Sequence, residues 1–169
     1  MSVQTLIRAC TTGPQTTLKV GDQGPEVNTM RRLLASTNRG FGVAGITVGD
    51  IFHDGIEIMI REFQYQVFLT PDGIVGPKTW KALCTDGPVD MPTIRQGDRT
   101  DLTEYVTLAQ ERLANAGYAS AAPDGDFGPA THAAVVRFQR AKGLATDGIV
   151  GPVTWRALSF AYNSGSSAP

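Results

Sequence analysis

The sequence predicts a mainly α protein built from two tandem three-helix units. Three observations carry that expectation. The signature DGIVGPKTWKAL at Asp72–Leu83 returns as DGIVGPVTWRAL at Asp147–Leu158, 75 residues later, with ten of twelve positions identical. Apolar residues around both copies recur at three- and four-residue spacing, the period of an amphipathic helix. Asp-Gly and Gly-Pro pairs punctuate these runs and mark where loops give way to helices. A repeat at fixed spacing means that one small module is used twice.

The similarity continues outside the signature. Phe63-Gln64 and Phe138-Gln139 precede the two copies at the same distance. Leu18-x-x-Gly21-Asp22 opens one unit and Ile94-x-x-Gly97-Asp98 the other. Val27, Met30 and Leu34 match Val106, Ala109 and Leu113 once three extra residues are allowed in the second copy. The expected organisation is an N-terminal tail (1–17), repeat 1 (18–84), a linker rich in turn formers (85–93), repeat 2 (94–158) and a flexible C-terminal tail (159–169).

In unit two, Val106, Ala109 and Leu113 predict a first helix, with a stop at Asn115-Ala-Gly117. Ala134, Val135, Phe138 and Ala141 predict a second, capped by Gly143, and Thr154-Trp155-Arg-Ala-Leu158 a third. The loops before the second and third helices both read Asp-Gly-x-(Phe or Val)-Gly-Pro-x-Thr. Asp-Gly makes a tight turn in which glycine takes positive φ, and proline at the first helical position sacrifices no hydrogen bond. Phe127 and Val150, between the glycines, are the expected core plugs. Unit one keeps the plan, with Ile56, Ile60, Phe63 and Val67 on one helical face. Its first loop departs: Gly49-Asp-Ile-Phe52-His53-Asp54 retains the plug but loses the Asp-Gly turn and the Gly-Pro helix start, and Phe68 replaces Gly143.

The composition is that of an ordinary globular chain, 41% apolar and 18% charged over 169 residues, and each unit of roughly 65 residues is near the lower limit for a self-sufficient core. A net charge of −1 argues against non-specific nucleic-acid binding and gives no attraction to an anionic membrane. No run approaches the ~18–20 apolar residues of a membrane span, so no membrane insertion is expected. Residues 1–17 lack the basic start and apolar stretch of a secretory signal, and Arg8 argues against a lipoprotein anchor at Cys10. Export by another route and a chain that is not the native precursor both stay open. Cys10 and Cys84 are either a disulfide clipping the tail onto unit one, worth on the order of 3–4 kcal/mol, or two unrelated thiols. A metal site is not expected, because His53 and His132 share no short ligand spacing with each other or with the cysteines. No cofactor motif is present.

Taken together, FQRAKGLATDGIVGPVTWRAL at Phe138–Leu158, DGDFGPATHAAVVRFQ at Asp124–Gln139 and FQYQVFLTPDGIVGPKTWKAL at Phe63–Leu83 resemble the peptidoglycan-binding repeat domain, the small module found beside bacterial and phage wall hydrolases. The resemblance covers both units, about four-fifths of the chain. It implies two tandem orthogonal three-helix bundles and a non-catalytic role that holds the bearer on the cell wall. The altered loop at Gly49–Asp54 makes unit one the candidate for a purely structural partner.

Each candidate binding residue has a structural alternative. Trp80 and Trp155 could stack on sugar rings, but their short helices ending in Ala-Leu favour a core role. Asp72, Asp124 and Asp147 could accept hydrogen bonds from glycan hydroxyls or stem-peptide amides, or satisfy their own turns. Gln64 and Gln139 follow core phenylalanines and are expected nearer the surface, with Tyr65 and Arg140 as weaker candidates beside them. Catalysis is not expected. The two histidines do not align between units, since His53 matches Gly128 and His132 matches Glu57, and no nucleophile elbow is present. Three roles follow: wall binding by the tandem repeat, with avidity from two tethered sites; a structural part of a phage tail or injection apparatus that meets the wall; and a protein–protein adaptor. Peptidoglycan, read as glycan or stem peptide, is the expected partner, with a wall hydrolase or a phage or injection-apparatus protein beside it. The location expected is the cell wall, the extracellular or periplasmic space, or a phage particle.

Overall fold

A computed structural model describes residues 10, 16–37, 39, 41, 49–98, 100–118 and 122–161. Apart from Cys10, Thr16 and Thr17, the expected N-terminal tail lies outside the described residues, as does the C-terminal tail from residue 162. The chain divides into two units, Met1–Val89 and Asp90–Pro169. Unit one contains α1 (Pro25–Ser36), α2 (Asp54–Gln66) and α3 (Pro77–Thr85). Unit two contains α4 (Thr103–Asn115), led in by a 3-10 turn at Thr100–Leu102, then α5 (Pro129–Ala141) and α6 (Pro152–Phe160). The protein is mainly α, as the periodicity predicts, and the described residues contain isolated β-bridges but no strands.

Proline occupies the first turn of α1, α3, α5 and α6, where its missing N–H would have had no intrahelical partner. The helices bury the faces that the three- and four-residue spacing marks. Val27, Met30 and Leu34 of α1, Ile56, Ile60 and Phe63 of α2 and Trp80 and Leu83 of α3 join Leu18, Val67, Val75 and the plug Phe52 in one core. Unit two repeats this with Val106, Ala109, Leu113, Ala134, Val135, Phe138, Trp155 and Leu158 around the plugs Phe127 and Val150. Each large side chain fully buried in this way stabilises its unit by roughly 1.5–3 kcal/mol, which a core of this size needs.

A two-bond bridge closes each unit from its first residues to its last loop. Leu18 and Val75 exchange backbone hydrogen bonds (3.2 and 2.8 Å), and Ile94 and Val150 do the same (3.2 and 2.9 Å). Just before each bridge, a backbone carbonyl accepts from a core tryptophan: Trp80 Nε1 donates to Thr16 (3.0 Å) and Trp155 Nε1 to Pro92 (2.7 Å). Both indoles are buried, which gives each tryptophan the core role and leaves neither face for a sugar. Helix α6 also runs two residues into the expected C-terminal tail, because Ser159 and Ala161 are packed inside.

The two cysteines form a disulfide, Cys10–Cys84, across 74 residues of sequence. Cross-linking a loop of that length removes conformational freedom from the unfolded chain. A Cys10→Ala/Cys84→Ala variant is therefore expected to lose about 4 kcal/mol of unit-one stability in chemical denaturation. Denaturation of unit two, followed at Trp155, should be unchanged.

Candidate functional site

The Asp-Gly loops are held by glutamines from inside. Gln139, only 1% exposed, reaches from α5 into the turn before α6. Its Nε2 donates to Asp147 Oδ1 (2.8 Å), the Ile149 carbonyl (2.9 Å) and Thr154 Oγ1 (3.2 Å), while its Oε1 accepts from the Gly148 N–H (2.9 Å). The amide orientation follows from chemistry, since the glycine N–H can only donate and the carboxylate can only accept. Gln64 repeats the arrangement in unit one with Asp72 Oδ1 (2.7 Å), Ile74 (2.9 Å), Thr79 Oγ1 (3.1 Å) and Gly73 (2.9 Å). The expectation that these glutamines lie nearer the surface does not hold. Four loop groups need a partner at that depth, and a polar atom buried without one costs more than a glutamine gains in water.

A third clamp was not anticipated. Gln110 of α4 donates to Asp124 Oδ1 (2.7 Å), the Asp126 carbonyl (3.0 Å) and Thr131 Oγ1 (2.9 Å), and accepts from the N–H groups of Asp124 (3.0 Å) and Gly125 (2.9 Å). The signal was present: Asp and Thr stand seven apart in all three loops, at 72 and 79, 124 and 131, and 147 and 154. In unit one the corresponding first loop has exchanged the whole set. Arg31 takes the place of Gln110, Gly49 of Asp124 and Ile56 of Thr131. Buried Arg31 still donates to the equivalent carbonyl, Ile51 (3.1 Å), and its guanidinium lies so close to Gly49 that a Cβ there would meet it at 3.0 Å.

The aspartates are exposed, but their inner oxygens are committed. Asp147 Oδ1 accepts from the Ile149 N–H (2.9 Å) as well as from Gln139, and Asp72 and Asp124 do the same with Ile74 and Asp126. For Asp147 the Ile149 N–H and then Gln139 hold the carboxyl below its usual range. For Asp124 the Gln110 amide is the larger cause and the Asp126 N–H the next. Gly148 takes φ 71°, and any side chain there would run into the His132 imidazole. His132 thus roofs the turn from α5, and His53 caps α2, its Nδ1 accepting from the Gly55 N–H (3.2 Å). Among the described residues no group of three His, Cys, Asp or Glu side chains is placed to hold a metal ion.

Outside each clamp of the third-helix loop lies an open groove. In unit one it occupies about 560 Å³ between Phe68, Leu69, Thr70, Asp72, Ile74 and Lys78. In unit two it occupies about 250 Å³ between Leu144, Ala145, Asp147, Ile149 and Val153. The grooves therefore bring together Gln64 with Asp72, and Gln139 with Asp147, at matched positions. They do not include Trp80, Trp155, Tyr65, Arg140 or Asp124. Tyr65 and Arg140 are exposed on α2 and α5, and Asp124 belongs to the other loop of unit two.

The family profile described as "Putative peptidoglycan binding domain" matches twice, at residues 23–83 and 103–158, more than half of the chain. The chain belongs to the peptidoglycan-binding domain family. Its relatives include the N-acetylmuramoyl-L-alanine amidase CwlM of Mycobacterium tuberculosis, 32% identical over 85% of this chain and 37% of the amidase. The zinc D-Ala-D-Ala carboxypeptidase of Streptomyces albus G is 55% identical over 54% of this chain and 38% of the carboxypeptidase. The amidase CwlL of Bacillus licheniformis is 28% identical over 82% and 44%. The chain thus spans less than half the length of these hydrolases. No solved structure matches it.

Two tests address the clamp. Gln139→Leu leaves the buried Gly148 N–H without a partner and the Ile149 carbonyl with the Thr154 hydroxyl (3.3 Å) as its remaining donor, so unit two should lose about 1–3 kcal/mol in urea denaturation. The lowered carboxyls of Asp124 and Asp147 contribute stability that is complete above the ordinary aspartate range, about pH 3.9, and that disappears as pH falls through their lower folded values. The thermal midpoint of unit two should therefore fall on acidification below about pH 4, and the fall should be shallower in an Asp124→Asn/Asp147→Asn variant.

Proposed function

We propose that this chain is a non-catalytic cell-wall-binding region whose two family units anchor or target their bearer to peptidoglycan. The observation that carries this reading is the recurrence of one groove, at matched residues and beside a loop held rigid from within, in both units. A site built twice on one tether suits a polymeric ligand. Once the first unit is engaged, the second binds at the millimolar effective concentrations that short linkers produce. The linker of nine residues predicted from the sequence fits that range.

A role without catalysis is supported by the chemistry of the grooves. Each holds one carboxylate, whose inner oxygen fixes the loop, and neither lining contains a histidine, cysteine or second acid to complete a hydrolytic pair. The hydrolases related to this chain extend well beyond the matched region, and a wall hydrolase, joined to the chain or acting beside it, is the natural partner of such an anchor. The disulfide supports a location outside the reducing cytoplasm, in the wall or the space around it.

Co-sedimentation with insoluble peptidoglycan sacculi tests the proposal. Substitution of the clamp glutamines would confuse unfolding with loss of contact, so the informative variant is Ile74→Asp with Val153→Asp, both at exposed groove positions. The wild type should pellet with sacculi, and the double variant should show at least about tenfold weaker retention from lost apolar contact at two sites. A wild type that stays in the supernatant would sink the proposal.

A further inference from the structure

The two grooves are built alike but not lined alike. Phe68 stands in unit one where Gly143 stands in unit two, and Lys78 where Val153 stands. Phe68 adopts φ 62°, nearly the φ 67° of Gly143, so both units make the same left-handed turn after their second helix. That conformation is free for glycine and sterically disfavoured for phenylalanine. Unit two makes the same turn without an aromatic side chain. A side chain kept against the preference of its own backbone, on a cavity wall, points to use of the side chain. What it adds is a wall, and the groove it lines has about 560 Å³ against about 250 Å³ in unit two, which brings unit one alone into the size range of ligand sites.

Lys78 sets the polarity of that groove. It is exposed on the first turn of α3, with no hydrogen-bond or ion-pair partner among the described residues, and unit two lines the same point with apolar Val153. Asp72 stands on the lining as well, with only its inner oxygen engaged. The Gly49–Asp54 loop, the feature that set unit one apart in sequence, is not part of this lining.

We propose that the unit-one groove is the principal ligand subsite and that it holds a carboxylate-bearing stretch of stem peptide. The carboxylate pairs with Lys78, an aliphatic side chain lies on Phe68, and a peptide N–H donates to the outer oxygen of Asp72. This rests on the wall-binding reading above. The aromatic wall would suit a sugar or an aliphatic group, and Asp72 would accept from a hydroxyl or an amide; Lys78 decides between them, because a neutral N-acetylated glycan backbone offers it no counter-charge. Unit two, with no cation in its groove, adds retention by contact with uncharged parts of the polymer.

The test is an amide-resolved NMR titration of the full chain with three probes: an N-acetylated stem pentapeptide whose C-terminal carboxylate is its one acidic group, its C-terminal amide, and an uncharged glycan oligomer of N-acetylglucosamine. The acid should perturb Leu69–Ile74 and bind about tenfold more tightly than the amide, and Lys78→Val should abolish that difference. Phe68→Gly should weaken acid-peptide binding about tenfold while leaving Tm unchanged or raised, since glycine is at ease in that turn. A merely structural Phe68 would give the reverse, a lower Tm with affinity intact. Equal binding of acid and amide, perturbation of the groove by the glycan oligomer, or wild-type affinity in Phe68→Gly would each overturn the proposal. Failure of all three probes with sacculi still retained would refute this subsite and leave wall binding standing, whereas loss of sacculus retention would remove both.

Discussion

One interaction holds the rest of each unit in place: a glutamine amide buried beneath an Asp-Gly turn. Gln139 ties together an aspartate carboxylate, a glycine N–H, a backbone carbonyl and a threonine hydroxyl that belong to four different positions of one loop. Its effect is geometric. With the loop fixed, Val150 is driven into the core and pairs with Ile94, and α6 leaves at a set angle with Trp155 turned inward. The groove is the outer surface of the same loop. Interior polar networks are stabilising only when complete, because a half-satisfied one is worse than an apolar core. The clamp is therefore kept whole or exchanged whole.

Both outcomes occur within this chain. Three loops carry the complete set, and the fourth has replaced it jointly by Arg31, Gly49 and Ile56. The long, cationic Arg31 reaches the carbonyl that Gln110 reaches in unit two, and a side chain at residue 49 would obstruct its guanidinium. A threonine at residue 56 would add a hydroxyl, whereas Ile56 gives the core an apolar side chain that is almost fully buried. The departure that made unit one the candidate for a purely structural partner is a different way of bonding the same loop carbonyl.

The fold was legible because its determinants are local or repeated. Period, proline at helix starts, positive-φ glycines and the plugs Phe52, Phe127, Val75 and Val150 all announce themselves within a few residues. The candidate site was less so. Gln64 and Gln139 follow a phenylalanine on the helix and so turn away from its main apolar face, which suggests solvent; their partners lie eight to fifteen residues on, across a loop. The same limit hid Gln110, whose carboxylate partner is fourteen residues away. Phe68 was recognised as a missing glycine, but its value as a groove wall depends on Leu69, Thr70 and Lys78 converging around it.

The Cys10–Cys84 bond joins a residue ahead of α1 to one inside α3. A pull along the backbone enters unit one through Cys10 and can leave through Cys84 across the sulfur atoms, so the covalent path bypasses α1, α2 and the loops between them. Unit two has no such shunt among its described residues, and its helices lie in series with the load. Under tension applied at the two ends of the chain, unit two would pay out chain first and act as the extensible element, while unit one kept its groove intact.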